Sequence, residues 1–134
     1  MIQLGLTLVV LAGIANAVMD KLQFHWSKSI FTNGTKYKEQ FWNPAISWKN
    51  KYKPGLDSYK LEKFKFSTTA LVFLTDAWHL FQMIHILLLF IGIALIGYFC
   101  DSFLELVIYV LLSKILYSLY FEWFFKKLLN KKQR

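Results

Sequence analysis

The chain has 134 residues, of which 56% are hydrophobic and 19% aromatic, and it carries a formal charge of +8. That apolar fraction exceeds what an ordinary soluble domain of this length holds and calls for a membrane solvent. The basic segments flank long apolar runs instead of forming a soluble basic face, which sets nucleic acid aside as a partner. The lone Cys100 leaves neither an internal disulfide nor a cysteine-based zinc knuckle.

The first apolar run begins at Ile2 and meets no charged side chain before Asp20 and Lys21. Crossing a hydrocarbon core of about 30 Å takes about 20 helical residues, so a span over residues 2–22 is expected. Ala15-Asn16-Ala17 has the small-x-small form of a signal-peptidase site, but no Lys or Arg precedes the run, so the helix is expected to be retained.

Residues 27–66 are neither a span nor a plain hydrophilic linker. The stretch from Phe41 to Gly55 interleaves Trp42, Trp48 and Tyr52 with Lys49, Lys51 and Lys53. Aromatic rings favour the membrane interface, where ammonium groups meet lipid phosphates. A cytoplasmic interfacial loop is expected, with Lys49, Lys51, Lys53, Trp42 and Trp48 binding lipid headgroups; the plainer alternative is that the two tryptophans only cover helix ends. Pro44 and Pro54 bound any helix between them. The acceptor triplet Asn33-Gly34-Thr35 falls on the expected cytoplasmic side and is discounted as a glycosylation site.

A second span is expected over 68–97, capped by Ser67, Thr68 or Thr69 and closed by Gly97. Asp101-Ser102 then opens a third span over 103–125, followed by a basic tail over 126–134. Ten lysines lie between Lys21 and Lys65 and five basic residues between Lys126 and Arg134. Basic segments prefer the cytoplasm, and three spans put both on that side, with the N-terminus outside and the C-terminus inside an inner or plasma membrane. The expected fold is therefore all-α: a polytopic integral membrane protein, one membrane domain over 1–134, with three transmembrane helices and an interfacial aromatic-basic loop.

Each span carries polar groups. In the second, Asp76, His79, Gln82 and His85 recur every three residues, a spacing that winds as a spiral ridge on a helix. In the first, Asn16, Asp20, Gln23 and Ser27 share a face, and in the third, Lys114, Ser118 and Glu122 share a line. Folding the last two helices about Phe99 sets His85 level with Lys114, Gln82 level with Tyr117, and Asp76 near Glu122. One site is thus expected to collect Asp20, Asp76, His79 and Glu122 with His25 at its mouth. A second polar contact would join His85, Lys114 and Gln82.

An aspartate or lysine at the bilayer centre costs about 2.5–3.5 kcal/mol, so these groups must face protein, water or one another. Carboxylate oxygens and imidazole nitrogens form the ligand set of a zinc, iron or manganese site, and Asp20, Asp76, His79, Glu122 and His25 are its candidate ligands. The competing accounts are a hydrogen-bonded Asp76–His79 pair that ties helices together, and a proton relay. His79 and His85 stand on one helix and cannot bind one haem iron from opposite faces, so a bis-histidine haem would need His25. Three histidines are too few for the di-iron hydroxylase pattern, and Arg134, the sole arginine, excludes arginine-dependent phosphatases.

These features point to a small membrane-embedded enzyme, with a divalent metal as its candidate cofactor, acting on a lipid or amphiphile at the cytoplasmic leaflet. Asp76 and His79 are its candidate catalytic residues, and membrane lipids its expected partners. Two alternatives stand beside it: a non-enzymatic subunit or assembly factor, bound to other membrane-protein subunits or to itself, and a component of a proton or ion pathway.

Overall fold

In the computed structural model, residues 1–33, 36–55 and 61–129 are described. Gly34 and Thr35 of the acceptor triplet, and the tail beyond Leu129, lie outside them. The protein is all-α. Helix α1 (Ile2–Phe24) is followed by two 3-10 turns, Trp26–Lys28 and Ile30–Asn33, and by the short helices α2 (Lys36–Trp42) and α3 (Pro44–Ser47). After further 3-10 turns at Trp48–Lys51 and Val72–Leu74 come α4 (Ala77–Phe99) and α5 (Phe103–Trp123), the last continuing as a π-helical turn, Phe124–Leu128. Among the described residues, three helices are long and apolar enough to cross a membrane: Ile2–Phe24, Ala77–Phe99 and Phe103–Lys127. They make the chain an integral membrane protein with three spans.

The second span starts at Ala77, nine residues later than the expected 68. The hydroxyls expected to cap it are engaged elsewhere: Ser67 Oγ donates to the carbonyl of Lys51 at 2.6 Å, and Thr68 Oγ1 donates to the Glu62 carboxylate. Phe66 adopts a left-handed backbone, φ 66°, and its N–H is held by Glu62 at 3.0 Å. A bulky residue in that region breaks a helix. Asp76 is the cap instead, so it precedes the helix and does not stand on it.

The chain divides into two compact units. In the unit formed by Met1–Ala17 and Ile84–Leu128, small residues let helices approach closely, the usual packing device where lipid removes the hydrophobic drive between helices. A Cβ on Gly5 would lie 2.8 Å from the Gly92 carbonyl, and one on Gly92 would lie 2.8 Å from the Gly5 carbonyl. Val9, Ala12 and Ala15 continue the buried stripe on α1, with Ile96 buried as well. A Cβ on Gly13 would come within 3.0 Å of the Tyr117 carbonyl. At the turn between α4 and α5, Ser102 Oγ accepts the Glu105 N–H at 3.2 Å, and the Glu105 carboxylate accepts the Asp101 N–H at 2.9 Å, a reciprocal cap.

The unit formed by Val18–Met83 and Leu129–Arg134 holds the aromatic and lysine-rich segment. Its two halves are stitched across the chain by an antiparallel bridge between Tyr52 and Glu62. On either side of the bridge, the Lys53 N–H donates to Leu61 O at 3.0 Å and the Lys63 N–H to Lys51 O at 2.9 Å. Stacked rings of Phe31 and Trp42, 4.4 Å apart, pack with Phe41 and Phe81.

Candidate functional site

The local chain course that builds the site begins at Asn43. Its side chain accepts the Ala45 N–H at 3.0 Å, and Pro44 fills the first turn of α3, where no N–H is needed. The chain tightens into the 3-10 turn Trp48–Lys51 and then extends at Tyr52. Asn50 fixes this turn from both sides. Its Nδ2 donates to Gln40 O and to Thr75 O, each at 2.9 Å, while its Oδ1 accepts from Gln40 Nε2 at 2.9 Å.

Thr75 leads directly into Asp76, whose main-chain carbonyl accepts the Leu80 N–H and starts α4. Asp76 Oδ1 accepts the His79 backbone N–H at 3.0 Å, the N-cap to N3 bond of a helix start. The same carboxylate lies 2.8 Å from His79 Nδ1 through both oxygens. The spacing of three that reads as a ridge in sequence is therefore, at its first step, a cap that has recruited the N3 side chain.

On its far side, His79 Nε2 lies 3.3 Å from Lys51 Nζ. These partners assign the tautomer: Nδ1, facing only carboxylate oxygens, carries the hydrogen, and Nε2 accepts from the ammonium. The Asp76 side chain is 3% exposed and that of His79 23%, so the carboxylate is enclosed while the imidazole edge is reachable. Burial pushes the Asp76 carboxyl up, but hydrogen bonds from the His79 ring and backbone, with the Thr75 hydroxyl, together hold it below the usual carboxylate range. A linear chain, Asp76–His79–Lys51, thus stands at the head of the second span.

The residues flanking Lys51 in the chain line a cavity of about 480 Å³, within the range of about 300–1,000 Å³ typical of small-molecule sites. Lys49, Lys53 and Lys63 line it together with Gln40, Asn50 and Tyr52. Gly55, at φ 148°, also lines it in a conformation that a side chain would strain.

The other expected site residues are distributed differently. Glu122 is 65% exposed and pairs with Lys126 at 3.0 Å. Asp20 is half-buried in the last turns of α1, and His25 is exposed just after that helix. Among the described residues, no three of His, Cys, Asp and Glu stand close enough to share a metal ion. His85 Nδ1 donates to Ala12 O at 2.9 Å, and its ring meets that of Tyr117 at 6.1 Å, so Tyr117 takes the level expected for Lys114. Lys114 lies over the Tyr117 ring, 5.7 Å from its centre, and Gln82 is half-buried on α4. Of the expected headgroup residues, Lys49 and Lys53 line the cavity, Lys51 turns to His79, and Trp42 is packed against Phe31. Trp48 donates to Ala45 O at 3.1 Å and is 38% exposed.

Sequence reasoning passes over Gln40, Asn50 and Lys63. Asn50 stands among lysines with no distinguishing spacing, and Lys63 joins Lys53 only through a bridge between segments far apart in sequence. Searches against family models, curated proteins and solved structures return no match to this chain.

Proposed function

We propose that this protein is a membrane-embedded enzyme acting at the headgroup of a lipid or other amphiphile, with the Asp76–His79 pair as its acid–base element. The observation that carries this is the bonding of one imidazole on both sides. An enclosed carboxylate fixes the Nδ1–H tautomer and leaves Nε2, at the reachable edge, as the basic nitrogen. In the resting site Lys51 donates to Nε2. An anionic substrate group draws that ammonium onto itself and frees Nε2 to take the proton of an attacking hydroxyl or water. Asp76 then stabilises the imidazolium, and the proton returns to the leaving group. The basic loop and tail support a cytoplasmic location for this chemistry, with the N-terminus outside.

The test is turnover by the purified protein in nanodiscs, followed by mass spectrometry of added lipids and lysolipids. His79→Ala is expected to lower the rate by about 10²–10⁴-fold, the usual loss of a general base. Absence of any turnover by the wild type, or full activity of His79→Ala, would end the proposal.

One observation favours a second role, as a subunit of a larger assembly. Lys114, Ser118 and Glu122 all lie exposed along α5 within a membrane span. Intramembrane polar groups on an outer face call for a partner helix. Lys114→Leu with Glu122→Leu should then reduce the mass of the native detergent particle; an unchanged mass counts against a partner on this row.

A further inference from the structure

We infer that the cavity lined by Lys49, Lys53 and Lys63 is a binding site for a phosphomonoester dianion. This deepens the proposed function by naming the substrate group that the basic cavity would hold, and it rests on that function only for the chemistry after binding.

Three lysines, Lys49, Lys53 and Lys63, line one cavity, and no carboxylate is found among the described residues that line it. Gathering like charges is unfavourable unless an anion shares the space, and three cations match two negative charges with one to spare. Lysine suits this role because its compact ammonium binds phosphate as a point charge.

The cavity is also a fixed frame. The backbones of Lys53 and Lys63 are fixed on either side of the Tyr52–Glu62 bridge, Lys53 by its bond to Leu61 O and Lys63 by its bond to Lys51 O. Lys49 is anchored over the Trp48 ring, 5.8 Å from its centre, and the amides of Gln40 and Asn50 lock together on the wall. Such preorganisation lowers the ordering entropy that anion capture would otherwise require.

The frame is wired to the dyad. Asn50 lines the cavity and donates to Thr75 O, one peptide from Asp76, while the next residue along, Lys51, reaches His79 Nε2. A ligand seated among Lys49, Lys53 and Lys63 is thus held by the chain segment on both sides of Lys51, whose ammonium leaves His79 for the base to act.

The phosphate could be carried by a lipid or by a soluble metabolite. The volume leaves room for more than the phosphate, and Trp48 and Tyr52, whose rings meet edge-on at 6.4 Å beside the lysines, are the side chains a headgroup layer favours.

The test is calorimetric titration of the full-length protein in phosphatidylcholine nanodiscs with inorganic phosphate and with dioctanoyl phosphatidic acid. Saturable binding of either probe is expected. Lys53→Gln and Lys63→Gln, at exposed positions that leave the fold intact, should each weaken it about tenfold, the size of one charge-assisted hydrogen bond. Tighter binding of phosphatidic acid than of phosphate assigns a lipid source; equal binding assigns a soluble phosphomonoester. Phosphatidylglycerol, a diester monoanion, should bind more weakly than phosphatidic acid. The inference is overturned if neither probe saturates, if both lysine variants bind unchanged, or if the diester binds as tightly. His79→Gln should bind like the wild type, so loss of turnover without loss of binding separates failure of catalysis from failure of the site.

Discussion

Asp76 grips His79 twice, through the backbone N–H at 3.0 Å and through the ring Nδ1 at 2.8 Å. The first bond starts the second membrane span and the second orients its imidazole. One buried carboxylate therefore serves both the fold and the candidate chemistry, and the two roles can be separated by measurement.

Asp76→Ala removes both bonds. The lost cap and the stranded donors should destabilise the protein by about 1–3 kcal/mol, read as a lower unfolding midpoint in detergent. In the wild type, ¹⁵N spectra of the imidazole should show His79 uniformly hydrogenated at Nδ1, and Asp76→Ala should abolish that uniformity. His79→Ala keeps the backbone N–H and should keep most of the capping contribution. An Asp76→Ala protein as stable as the wild type would show that the cap contributes nothing.

The same carboxylate sets an acid limit. Its folded pKa lies below the ordinary range, so it stabilises the fold at every pH above its unfolded value, about 3.9. That contribution disappears as pH falls through the depressed folded value. Glu62, held low by hydrogen bonds from Thr68 and Phe66, acts with the same sign. Unfolding midpoints measured from pH 7 down to pH 3 should fall, and the fall should be shallower in Asp76→Asn and in Glu62→Gln, each of which removes one titrating group. A slope unchanged in both variants would place the acid sensitivity elsewhere.

The three spans are legible in the sequence because length and apolar content decide what crosses a bilayer, and Ile2 to Phe24 can be read to within two residues. The start of the second span is not. Ser67, Thr68 and Thr69 offer acceptable caps in sequence, and only the engagement of Ser67 by Lys51 O and of Thr68 by Glu62 removes them. Asp76 and His79 are legible as a pair from their spacing, whereas Lys51 as the third member is not, since 28 residues separate it from His79. Folding the hairpin by counting considers only α4 and α5, so it does not foresee that the Ala12 carbonyl of α1 takes the His85 ring.

That close approach predicts a contrast among glycines. Gly5→Ala and Gly92→Ala each force a methyl group to within 2.8 Å of a facing backbone oxygen, which cannot yield as a side-chain tip can. Each should destabilise by about 1–3 kcal/mol, the usual cost of overpacking. Gly97 has nothing within 4 Å of an added Cβ and lies in the last turn of α4, so Gly97→Ala should be neutral or stabilising by up to about 1 kcal/mol. Denaturation of the three variants in one detergent orders them. A Gly5→Ala protein as stable as Gly97→Ala would mean that α1 and α4 do not meet at Gly5 and Gly92.

Cys100, the sole cysteine, stands in the turn between α4 and α5 and reports which way the chain is inserted. In the proposed orientation, with the basic loop and tail inside, that turn would lie outside. Burial, with Glu105 and Asp101 nearby, pushes the Cys100 thiol up, so little thiolate forms at neutral pH and labelling there is slow. At mildly alkaline pH, where more of this thiol is ionised than at neutrality, a membrane-impermeant maleimide should label right-side-out vesicles. Inverted vesicles should require a permeant reagent. A Cys100→Ser control removes the signal in both. The opposite pattern would reverse the topology and put the cavity of Lys49, Lys53 and Lys63 on the outer face, where its phosphomonoester would have to come from the exterior leaflet or medium.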